Sequence, residues 1–286
     1  MSSTTSTGAT DAPRPRRLLL ARVTAWLVVL LYVAGMGVTI WIEGRLGLQG
    51  EDPVEDVVML VGFGMFALVG AVLVARRPTN VVGWILSAVG IIVGIYPLSE
   101  TYAAYVMTTR GEPDALAVVG AWANGWYWYL LLSLAFIYLP LYFPDGRLPS
   151  RRWLPVAVMA GIATATAVVS GALVETLRGQ DVDYRIENPI GIEGLAPIEE
   201  MPVFGGMLFV LLILSTVGAA ASVYARFRRA RGVERQQLKW FLYAVALIPA
   251  SFALDYVPGF GGDLVFGLVI FGLPSAFGIA ILRYRL

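Results

Sequence analysis

The chain has 286 residues, 58% of them hydrophobic, and a mean hydropathy of +0.72. An ordinary soluble domain is about 45–50% apolar, so the composition excludes one and indicates a membrane protein. The net charge is +1 and neither cysteine nor histidine occurs, which removes disulfides, thiolate metal sites, the commonest general base and any histidine phosphoacceptor.

Residues 1–17, rich in Ser, Thr, Gly and Pro, read as a disordered tail with nothing to bury. Arg14, Arg16, Arg17 and Arg22 precede the apolar run Val23–Ile42, whose spanning length predicts a retained first helix rather than a cleaved signal peptide. Seven more runs follow: Val57–Ala75, Val81–Ser99, Val118–Tyr142, Trp153–Val174, Val203–Tyr224, Trp240–Val257 and Leu264–Leu282. Pro78 forces the break between the second and third. The expected fold is an all-α integral membrane bundle of about eight helices over residues 18–286, a multi-pass membrane protein. Its single long outer loop is 175–202, and its most basic loop is 225–239.

Orientation follows from Lys and Arg, which are retained on the cytoplasmic side. With the 225–239 loop inside, both termini are cytoplasmic, and only Arg45, Arg110, Arg178 and Arg185 of the 21 Lys/Arg fall outside. Only Asp11, Asp145 and Glu234 of the 20 acids then fall inside.

Four segments could carry function. Phe143–Trp153 holds a Pro-Asp-Gly turn, with Ser150 placed to cap the next helix. An outer aromatic group includes Tyr96, Trp122, Trp126 and Tyr129, the last three at one-face helical spacing, which suits an interfacial belt or an aromatic-lined pocket equally. Asp56, Glu100 and Asp255 sit at outer helix ends. Together these yield a candidate ligand site of Tyr96, Glu100, Trp126 and Asp255. Gly90 and Gly94 form the one Gly-xxx-Gly pair, suited to close helix packing inside the molecule or between copies. Pro249 and Pro274, within the last two spans, are candidate hinges.

No span has a charge near its centre, which disfavours an ion-coupled transporter. No phosphate-binding Gly-rich loop, Ser nucleophile elbow or metal-ligand cluster occurs, so no catalysis, metal or cofactor is expected. At this length the basic loop is a topology signal rather than a nucleic-acid site.

Several strings in this order resemble the membrane input region of actinobacterial sensor histidine kinases. They are Arg76–Leu86, Phe143–Trp153, Asn188–Ile192, Arg226–Ala244 and Ile279–Leu286. The resemblance covers the chain from about the second helix onward, and Phe143–Trp153 and Arg226–Ala244 are its most specific parts. In that family the last helix leads into a dimerising, ATP-using kinase module. The expectation here is a sensor without that module: the input half of a longer protein, or a chain whose output is a separate cytoplasmic protein. It would pass an external or membrane-derived stimulus inward, and a homodimer fits the resemblance. The output surface would be Arg228, Arg229, Arg231, Glu234, Arg235, Arg283 and Arg285. The alternative reading is a small-solute or lipid transporter.

Overall fold

The computed structural model of the chain describes residues 15–48, 53–179 and 183–232, and beyond these Arg235, Gln236, Leu238, Lys239, Leu242, Gly267, Ile270, Phe271, Gly272, Pro274, Ser275 and Gly278. At about 1.5 Å per residue, some 20 helical residues cross a hydrocarbon core of about 30 Å. Among the described residues five helices are long and apolar enough: α1 (Pro15–Leu46), α2 (Pro53–Arg76), α3 (Val81–Arg110), α7 (Leu154–Ala172) with the turn before it, and α8 (Pro202–Arg229). A bent pair, α4 (Ala115–Asn124) followed by α5 (Tyr127–Leu132), a π-helical stretch Ser133–Tyr138, and α6 (Leu139–Tyr142), is together long and apolar enough to be a sixth candidate span. The chain is therefore an all-α, multi-pass membrane protein. Most of the runs Trp240–Val257 and Leu264–Leu282 lies outside the described residues.

Successive helices run in opposite directions and put their loops at two ends. One end carries Arg76, Arg77, Arg147, Arg151, Arg152, Arg226, Arg228 and Arg229; the other carries Glu43, Asp56, Glu112, Asp114, Glu175 and Glu199. We call them the basic and the acidic end.

Helices α1, α2 and α3 form the tightest part of the bundle, because small residues let their backbones touch. A Cβ on Gly90 would lie 2.6 Å from Ala67 Cα in α2, and one on Gly94 would lie 2.8 Å from Tyr32 Cα in α1. The Gly-xxx-Gly pair is thus spent on packing inside the molecule. Around it Val28, Tyr32, Phe66, Leu73, Leu86 and Val89 are buried in the main core. Two described residues near the C-terminus lie against α2 in its own order, Gly267 against Val58 and Met59 and Gly278 against Val69.

Three departures from the sequence reading matter. The fourth run is not one helix; it bends by 47° between α4 and α5. Trp126, at φ −140°, leaves the helical path there, so Trp122, Trp126 and Tyr129 do not form one stripe. Trp122 Nε1 instead donates to Ala172 O at 2.9 Å, and the Tyr129 hydroxyl donates to Glu199 at 2.6 Å. Second, α3 continues ten residues past Glu100, to a stop at Gly111 (φ 77°), so Glu100 is not at a helix end and is 4% exposed. Third, Ser150 makes no capping bond to the helix that follows it.

The outer loop also has a structure that its composition concealed. Strands β1 (Thr176–Arg178) and β2 (Arg185–Glu187) pair antiparallel. Leu177, Tyr184 and Ile186 bury against Ala103, Ala104 and Val106 of α3 and against Ala117 and Ala121 of α4. Asn188 pins this cap to the end of α7, its Nδ2 donating to Ala172 O at 3.0 Å and Val174 O at 2.7 Å. Asp114 starts α4, accepting from the Ala117 N–H at 2.9 Å and the Tyr102 hydroxyl at 2.9 Å. Those two donors hold its carboxyl below the usual range.

Candidate functional site

A cavity of about 730 Å³ opens at the acidic end between α1 and α2 on one side and α5 on the other, with α3 as its floor. Glu43, Leu48 and Asp56 stand near its mouth, where α1 ends and α2 begins. It reaches Tyr32, eleven residues and about 16 Å further down α1. Its walls are apolar or aromatic: Met36, Leu60, Phe63, Val93, Tyr96, Tyr127 and Leu131. Large enough for a drug-sized molecule and nearly uncharged inside, it suits an apolar or amphipathic ligand that keeps its polar part near Glu43 and Asp56.

Tyr96 lines this cavity. Its ring stacks on Tyr127 with centroids 3.5 Å apart and planes 17° from parallel, and its hydroxyl donates to Glu100 Oε2 at 2.5 Å. The i, i+4 spacing of Tyr96 and Glu100 places them one turn apart on α3, so this bond is local. Glu100 lies behind the cavity wall, not in it. Trp126 packs against the same core, edge-on to Trp122 at 5.2 Å, and does not line the cavity. Its buried Nε1 has no hydrogen-bond partner among the described residues. Nearby, Asn124 Nδ2 donates to the Tyr184 hydroxyl at 3.4 Å. Burial, reinforced by the Glu100 carboxylate and opposed by the Asn124 bond, pushes the Tyr184 phenol up to about 12, so it stays protonated. Asp255 lies outside the described residues. Of the four expected site residues, the structure brings Tyr96 and Glu100 into contact and leaves Trp126 to the side. Tyr127 and Trp128, which belong to the outer aromatic group of the sequence, do line the cavity; sequence reading missed Tyr32 and Phe63, whose approach is set by how the helices pack.

At the basic end three of the strings that carry the family resemblance meet, those around Asn80, Phe143 and Arg226. Asn80 caps α3, its Oδ1 accepting from the Val82 N–H at 2.9 Å, and its Nδ2 donates to Pro144 O at 3.3 Å. The Phe143–Pro144 peptide is cis, and Gly146 (φ 72°) turns the chain back so that its N–H bonds Tyr142 O at 2.8 Å. Into this turn comes Arg226 of α8, 9% exposed. Its Nη1 donates to Phe143 O, and its Nη2 to Leu141 O at 3.0 Å and Arg147 O at 2.6 Å. One guanidinium thus satisfies the carbonyls at the end of α6 and braces α6 against α8.

Of the expected output residues, Arg228, Arg229, Arg231 and Arg235 are exposed at this end, and Arg235 lies over the Phe227 ring at 5.3 Å. Glu234, Arg283, Arg285 and the candidate hinge Pro249 lie outside the described residues; Pro274 is helical and buried. Among the described residues no group of three or more acidic side chains is placed to hold a metal ion. Comparison with family models, with curated proteins and with solved structures found no match to this chain.

Proposed function

We propose that this chain is the membrane-embedded input module of a bacterial signalling protein, similar to those of actinobacterial sensor histidine kinases. In this reading it has eight spans in the plasma membrane, with the basic end and both termini in the cytoplasm. It binds an apolar or amphipathic ligand from outside and passes the change to a cytoplasmic kinase-type output, in the same chain or in a partner, working as a homodimer.

The observation that carries the reading is the cavity and what its walls connect to. Its floor, α3, begins at Asn80, and its far wall, α5, continues through the π-helical stretch into α6 and Phe143. Those two inner ends are bonded to each other through Asn80 and Pro144, and to α8 through Arg226. A ligand that wedges α5 away from α1 and α2 therefore bears on the arginine-rich end of α8, where Arg228, Arg229, Arg231 and Arg235 are exposed. Glu234, Arg283 and Arg285 would extend this output surface, and Pro249 and Pro274 would serve as hinges in the last two spans. The ligand need only prefer one packing: a preference of about 5.5 kcal/mol moves a two-state equilibrium from 1:99 to 99:1.

Met36→Trp, which places a large ring in the cavity, tests the receptor reading. In cells where the chain drives a kinase reporter, the variant is expected to lock output near one extreme under all growth conditions. Output that still spans the wild-type range in a variant with a filled cavity would sink the reading. Orientation is checked separately, and the lack of native cysteine makes the labelling clean. Glu193→Cys in the outer cap is expected to react with an impermeant maleimide in intact cells, and Thr79→Cys only after lysis. The reverse pattern would invert the topology.

A further inference from the structure

A second cavity, of about 830 Å³, lies at the basic end between the start of α7 and the end of α8. Its lining includes Arg147, Ser150, Arg152, Trp153, Arg226 and Arg229, with Asp145 as its one carboxylate. We propose that it holds the phosphate of an anionic phospholipid headgroup.

Three features favour an anion there. Arg147 and Arg152 from the α6–α7 connection and Arg229 from the end of α8 are exposed cations that line one cavity, and guanidinium forks match phosphate oxygens. Arg226 also lines the cavity, and its guanidinium, which donates to the carbonyls of Leu141, Phe143 and Arg147, adds a fixed positive charge to that wall. The N-terminus of α7 opens beside it, adding the positive end of a 19-residue helix.

Two further features favour a lipid over free phosphate. Exposed apolar side chains begin directly below the cavity, Leu154, Val158 and Ile162 on α7 and Leu214 and Val217 on α8, so acyl chains attached to the headgroup have a surface to follow. Trp153, half-buried at the rim, has the amphipathic ring that settles at the headgroup level. Basic pockets between spans are the places where anionic headgroups bind specifically rather than as a diffuse cloud.

The test uses the full chain in nanodiscs of phosphatidylcholine with a minor fraction of phosphatidylglycerol, reading co-purified lipid by native mass spectrometry. Wild type is expected to retain phosphatidylglycerol in preference to phosphatidylcholine, and Arg152→Gln/Arg229→Gln to lose that preference by about tenfold or more. Arg76→Gln/Arg151→Gln removes the same charge from exposed positions at the same end but outside the cavity, and is expected to keep it. Equal loss in both pairs would mean diffuse attraction and would overturn the site. So would displacement of the lipid by inorganic phosphate at equal concentration, which would identify the free anion as the ligand. If the first pair does not insert, Arg229→Gln alone serves, and unchanged lipid preference in it counts against the proposal.

Discussion

Arg226→Met is expected to destabilise the folded chain by about 3–5 kcal/mol, far more than loss of any other arginine at its end. The methionine fills similar space, so the loss is electrostatic: three carbonyls, on Leu141, Phe143 and Arg147, lose their donor together. Lysine does not restore it, because a single ammonium cannot reach carbonyls that the planar fork spans. Arg228→Met, two residues on and exposed, is expected to change stability by no more than about 0.5 kcal/mol. Thermal unfolding in detergent, followed by light scattering, compares the three variants. A melting temperature for Arg226→Met equal to that of Arg228→Met would show that the brace contributes nothing.

The second large effect is expected from Gly90→Leu. At this position even a Cβ would sit 2.6 Å from Ala67 Cα and 2.7 Å from Ala67 N, both backbone atoms that cannot rotate away. Overpacking typically costs about 1–3 kcal/mol and occasionally more; with backbone as the obstacle, the upper figure applies. Since α2 and α3 carry one wall and the floor of the cavity at the acidic end, separating them should also abolish ligand-dependent output if the proposed receptor function holds. Gly206→Leu, on α8 with open space around its Cβ position, is the matched control and is expected to be tolerated. The yield of monodisperse protein after extraction distinguishes them. Equal yields for the two variants would mean that α2 and α3 do not pack as closely as described.

Much of the frame was legible in the sequence because it rests on local chemistry. Pro78 cannot continue a helix, and α2 does stop at Arg76 and α3 begin at Val81. The break in the fourth run had one local signal, the turn-favouring dipeptide Asn124-Gly125, which the apolar flanks on both sides masked. At the bend α7 comes so close that a side chain on Gly171 would strike the Gly125 carbonyl. Nor did the outer loop announce its ribbon, because three-residue strands are too short for an alternation to register.

The candidate site was half legible. Tyr96 and Glu100 lie one turn apart on one helix, which spacing gives, whereas the approach of Tyr32 and Tyr127 depends on three helix pairings. Arg226 is the instructive miss. Counted as a positive charge it is indistinguishable from Arg228 and Arg229. Yet Ser215, Ala219, Ser222 and Arg226 recur at intervals of four, three and four, and all are buried. An arginine that continues a buried stripe of small residues must find acceptors inside the protein, and that periodicity was the available signal.

The brace also carries a schedule. Arg226 and Phe143 are 83 residues apart, so at about 5–20 residues per second the arginine leaves the ribosome roughly 4–17 s after the carbonyls it will bind. Throughout that interval the oxygens at the end of α6 and in the Phe143–Arg147 turn must find water or another donor. In the proposed orientation Arg226 counts, while α8 inserts, as one more positive charge held on the cytoplasmic side. In that orientation the same guanidinium first helps decide which way α8 crosses and then joins it to α6, so assembly of this end is complete only after the sixth candidate span of the bundle has arrived.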